Sequence, residues 1–223
     1  MSYTRTFGLP ALLLAAALIM ASCGGSGTGG SEQGNAGQDN AESEDGMQGM
    51  DHGGMNTGSG DMASEMLMEN GEYSDERFVD AMAPHHQGAV EMAEVALENA
   101  EHQELQQLAR DIVTGQQAEI EQMSAIKERL FGSSEVPMEM SPEEMEMMGM
   151  MEDPGQLADE DPFDRAFIDE MTPHHESAIE MARVAQESTE DPEIRELARG
   201  IVEAQEAEIE QMTAWREEWY PES

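Results

Sequence analysis

The residues of this chain most suited to chemistry lie in one string that occurs twice, Met82-Ala83-Pro84-His85-His86 and Met171-Thr172-Pro173-His174-His175. Imidazole nitrogen accepts copper, zinc or iron, while thioether sulfur is a soft donor that favours Cu(I). On a helix, His85 and His86 point about 100° apart. Met82 precedes His86 by four residues and Met92 follows His85 by seven, so each histidine has a thioether on nearly its own line. Met171, His174, His175 and Met181 repeat the set. Further along, Gln116, Glu119 and Met123 fall within about 60° of one another on a helical wheel, as do Gln205, Glu208 and Met212. A carboxylate on the core side is costly unless paired, so Glu119 and Glu208 need partners. The histidines would serve, giving the common carboxylate–imidazole–metal arrangement. A helix end, or Arg110 and Arg199, would serve equally in a purely structural role.

These residues must be positioned by a duplicated element. Residues 77–131 align with 166–220 at a constant offset of 89 without a gap, and 29 of the 55 positions are identical. In the first copy Phe78, Met82, Ala89, Ala93 and Ala96 recur at helical spacing. Ser74 or Asp75 is placed to cap that helix. A break falls near 99–102, matched by Thr189-Glu190-Asp191-Pro192 in the second copy. Leu105, Leu108, Ile112, Met123, Ile126 and Leu130 then mark a second helix that ends at Gly132. One hairpin of two helices has an uncovered apolar side, and two facing hairpins cover each other. The expected fold is therefore all-α, an antiparallel four-helix bundle of ferritin-like type. Pro84 and Pro173 deprive the carbonyls of Asp80 and Asp169 of a partner, so each first helix either kinks there or starts there.

Around the repeats lie segments of other character. Residues 1–22 carry Arg5 and an apolar run from Leu9 to Met20 too short to span a bilayer, followed by Ala21, Ser22 and the sole cysteine, Cys23. This arrangement resembles a bacterial lipoprotein signal with Met20 where leucine is usual, and it implies lipidation at Cys23. An ordinary cleaved secretory signal is the alternative. Residues 23–70 read as a disordered Gly-, Met- and acid-rich tether, ahead of a folded domain over 71–223. The tether holds Met47, Met50, His52 and Met55, and the 133–161 linker holds Met145, Met147, Met148, Met150 and Met151. Thirteen of the 21 methionines lie in these two stretches, where the composition predicts no core to need them.

The formal charge of −39, or −40 once residues 1–22 are removed, repels nucleic acid and attracts cations. It equally keeps an exported protein soluble. The repeat, with M-A-P-H-H-Q-G-A-V-E-M-A and Q-x-x-E-I-E-Q-M, resembles the bacterial family catalogued as domain of unknown function 305 over about residues 74–220. That resemblance implies a ferritin-like exported protein, with copper binding in some members. By the same analogy Met82, His85, His86, Met92, Met171, His174, His175 and Met181 are its motif positions. The residues together point to a cell-envelope protein that binds copper, as Cu(I) foremost or Cu(II), with the metal ion and the membrane as partners. Protein partners are not legible. A structural or partner-binding lipoprotein, whose histidines only satisfy a buried polar network, is the competing reading. A ferritin-type di-metal oxidase fits poorly, because such sites need Glu-x-x-His and the residue three before His85 and His174 is methionine. No catalytic residue is expected.

Overall fold

The computed structural model describes residues 65–148 and 150–221. Four long helices build it, α1 (Asp75–Asn99), α2 (Gln103–Phe131), α4 (Phe163–Ser188) and α5 (Pro192–Trp219), with a short α3 (Pro142–Met147) and a 3-10 turn (Pro154–Asp159) in the linker. Local chemistry sets the helix ends. Ser74 caps α1 through its side chain, which accepts from the Arg77 amide at 3.4 Å, and Asp75 and Glu76 follow at the positive end of the dipole. Gly132 ends α2 in the left-handed conformation at φ 76°. Asp191 caps α5 by accepting from the Glu193 and Ile194 amides at 2.9 and 3.1 Å, with Pro192 in the first turn. Both prolines lie inside their helices, Pro84 in α1 and Pro173 in α4, so neither helix starts at its proline.

The apolar stripes read from the sequence are the core. Phe78, Met82, Ala89, Ala93 and Ala96 are all fully buried, as are Leu105 and Met123 opposite them. Each repeat folds into a helical hairpin, and the two hairpins meet chiefly through α1 and α4, which run antiparallel; α2 and α5 touch each other little. The core is divided in two. One cluster joins Phe78, Met82 and Met123 to Ala178, Met181 and Ile194, and the other joins Ala89, Met92 and Leu105 to Phe167, Met171 and Met212. Along both α1 and α4, the paired histidines stand at the boundary between the clusters.

Two expectations are corrected. The folded domain begins before residue 71: β1 (Met68–Glu69) pairs antiparallel with β2 (Glu72–Tyr73) about a turn of Asn70 and Gly71, both at positive φ, and Leu67 is completely buried. A two-residue turn and one large apolar side chain are enough to fix this segment against the bundle. The rest of the tether, with Met47, Met50, His52, Met55 and Cys23, lies outside the described residues. The linker is not coreless either. Met148 and Leu157 are buried, and Met140, Met150 and Met151 pack against the two clusters. With α2 and α5 apart, the α1–α4 pair needs a cover, and the 3-10 turn of the linker packs on both helices.

Candidate metal centre

The four motif histidines form one layer at the middle of the bundle. His85, His86 and His175 are fully buried and His174 is nearly so. The rings of His85 and His174, one from each repeat, lie with centroids 3.9 Å apart at 46°. Their neighbours fix the protons. His86 Nε2 donates to Glu119 Oε2 at 2.8 Å, and His175 Nε2 donates to Glu208 Oε2 at 2.7 Å, because an ionised carboxylate only accepts. The single hydroxyl proton of Ser177 goes to the His174 carbonyl at 2.9 Å. Ser177 Oγ therefore accepts from His85 Nε2 at 2.7 Å. In all three rings the remaining nitrogen, Nδ1, is buried without a hydrogen-bond partner, and in the neutral ring it is a bare lone pair. In His174 neither ring nitrogen makes a hydrogen bond.

Electrostatics keep the two stacked rings, His85 and His174, neutral. Burial pushes His85 well below the ordinary imidazole value of 6.5, aided by His174, His86 and His175. Burial also lowers His174, aided by His175 and His86 and opposed by the His85 backbone. Neutral imidazole is the form that binds metal. An unpaired buried acceptor costs about 1–3 kcal/mol, so a layer holding several of them is a poor purely structural device. Soft cations of low coordination number suit such acceptors.

The glutamate partners are thus histidines and not arginines, since Arg110 is held by Gln107 and Arg199 by Glu196 and Glu203. Gln116 and Gln205 are buried beside them in sequence with both amide atoms unpartnered. The eight proposed ligands are all buried, but the thioethers divide. Met82 and Met181 join Met123 on one side of the histidine layer, while Met92 and Met171 join Met212 on the other, so each side draws on both repeats. Met123 and Met212, read from the sequence as core, share those two clusters. Of the linker methionines, Met145 and Met147 fall in α3, Met148 is core, and Met150 and Met151 are half-buried. Among the described residues no three His, Asp or Glu side chains already converge as a chelate. The donors here are instead single imidazoles stacked between methionine layers, a set that suits a soft ion of low coordination number.

Sequence reasoning missed Ser177. It stands 89 residues from Gly88, a position just past the motif where the two copies differ, and that difference was the available signal. It also missed Asp164 and His102. Asp164, fully buried, accepts from the Glu101 and His102 amides at 2.9 and 2.8 Å and from His102 Nδ1 at 2.6 Å, and the His102 ring stacks on Trp219. That group ties the start of α4 to the α1–α2 turn.

Comparison with known proteins sets this geometry in context. The family model described as domain of unknown function (DUF305) matches residues 26–127 and 75–216. No curated protein matches the chain. Among solved structures, CopM in the Cu(II)-bound form is 42% identical with a TM-score of 0.62, the match covering 67% of this chain and 99% of that one. CopM in the Cu(I)-bound form is 38% identical with a TM-score of 0.58 and covers the same shares. A DUF305 fragment from Deinococcus radiodurans is 31% identical with a TM-score of 0.56, over 64% of this chain and 96% of that one.

Proposed function

The chain belongs to the domain of unknown function (DUF305) family, and from that premise we propose that it takes up copper, as Cu(I), in the imidazole layer of its bundle. The observation that carries this reading is the set of four buried histidines whose Nδ1 atoms meet no protein partner. Similarity to CopM, solved with Cu(II) and with Cu(I), supports copper as the ion. The thioethers on both faces of the layer favour the reduced form. Glu119 and Glu208 orient His86 and His175 and raise their basicity as ligands.

The ion is cargo, held or handed on without turnover. The one hydroxyl against an imidazole there, Ser177, spends its proton on the His174 carbonyl and accepts from His85. The net charge of −39 raises the local concentration of cations. An acidic groove of about 800 Å³, lined by Glu65, Glu76, Glu139 and Glu144 with Met66 and Met140, reaches Pro84 next to the layer. Its carboxylates would gather cations on that face of the bundle.

Thermal melting with and without Cu(I) under anaerobic conditions tests the reading. A ligand at a hundredfold its dissociation constant adds about 2.7 kcal/mol, so the melting temperature should rise by several degrees. A metal-free structural network predicts no shift, and an unchanged melt would remove copper from the account. The sequence also supports export and anchoring through a lipid on Cys23. No helix among the described residues is long and apolar enough to cross a membrane. Retention in the membrane fraction, lost in C23A, checks the anchor; equal retention of both proteins would contradict it.

A further inference from the structure

The two repeats differ at a position that bears directly on the histidine layer. In the second copy Ser177 fills it and satisfies His85 through its hydroxyl. In the first copy the same position is Gly88, and His174, the counterpart of His85, has no such partner. The space is not left vacant. A Cβ added at Gly88 would lie 2.6 Å from Met150 Cε and 3.5 Å from His174 Nε2, so the tip of a linker methionine and an unpaired imidazole nitrogen converge on the gap in α1. The linker is held just before this point: Met148 is buried in the core, and the Met150 amide donates to the Met145 carbonyl at 2.9 Å.

We infer that Met150 is a ligand of the same soft ion as His174, brought into the layer through the gap that Gly88 leaves. The inference rests on the reading of the imidazole layer as the copper site and adds to it a donor from outside the repeats. A neutral imidazole and a thioether form a suitable pair for a d¹⁰ monovalent cation. The serine hydroxyl opposite is a hard donor and leaves His85 on its hydrogen bond. Duplication thus supplied two equivalent halves, and the Gly88/Ser177 difference made one of them the place where the linker completes the site. Methionine solely as packing predicts that leucine would do as well, since the two differ little in volume.

The test uses the full chain, with Ag(I) as the probe. Methyl-labelled methionine spectra are followed through the first equivalent, Met150 being assigned by its absence in M150L. Affinity is measured by competition for the wild type, M150L, G88S and H174N. The expected result is that the Met150 methyl shifts with the first equivalent and that M150L and G88S each weaken it at least tenfold. If M150L binds as the wild type while H174N is weakened, Met150 is not a ligand and the imidazole layer stands. If M150L and H174N both bind as the wild type, the layer falls as well. Should M150L melt lower than the wild type without metal, the methyl shift in the wild-type spectrum decides alone: an unmoved Met150 signal overturns the inference.

Discussion

The proton positions in the histidine layer follow from three neighbours. Glu119, Glu208 and Ser177 each accept from an Nε2, and together they leave three buried Nδ1 atoms with nothing to bind. Helical phase read from the sequence placed those glutamates on the core side but left histidine and arginine as equal partners. Only the crossing of α2 over α1, and of α5 over α4, decides between them, and that depends on packing between distant residues. A pH effect belongs to this scale. Burial lowers His85 and His174 below their ordinary 6.5, so the unfolded chain binds protons that the folded chain refuses. Stability contributed by the two neutral rings is complete above about pH 7 and is lost as pH falls below 6.5, by up to about 1.4 kcal/mol per pH unit for each. Denaturant melts of the metal-free protein between pH 7.5 and 5.5 should show this slope. H85N combined with H174N should flatten it; a slope that persists in the double variant would assign it to other groups.

The helices themselves were largely legible. Capping residues, the apolar stripes and the break at 99–102 act over a few residues, and each falls where its chemistry requires. What the sequence concealed are the contacts between elements. The linker methionines read as coreless because their surroundings are acidic and Pro-rich, yet the α1–α4 pair, left uncovered where α2 and α5 stand apart, recruits Met148, Met150 and Leu157. Asp164 was equally hidden, since nothing in the start of α4 announces that it holds the α1–α2 turn 62 residues away. Removing it in D164A leaves two amides and the His102 ring without their acceptor. The expected loss is about 2–4 kcal/mol in denaturant unfolding, with the copper stoichiometry unchanged. A wild-type stability would show that the hairpins do not depend on this tie, and a lost equivalent of copper would join it to the metal site.

For the molecule as a whole, the duplicated bundle places soft and neutral donors at the centre of an acidic protein. Surface carboxylates and core imidazoles would treat a copper ion very differently, and so would the methionines beyond the bundle. Hard oxygen donors at the surface gather cations with little selectivity, and the thioethers of the methionine-rich stretches would hold Cu(I) without imidazole. X-ray absorption at the copper edge, on the protein loaded with one equivalent of Cu(I), distinguishes all three. The account predicts a first shell containing imidazole nitrogen together with sulfur. A shell of sulfur alone would put the ion in the methionine-rich stretches, a shell of oxygen alone would put it on the acidic surface, and either would contradict the histidine layer as the copper site.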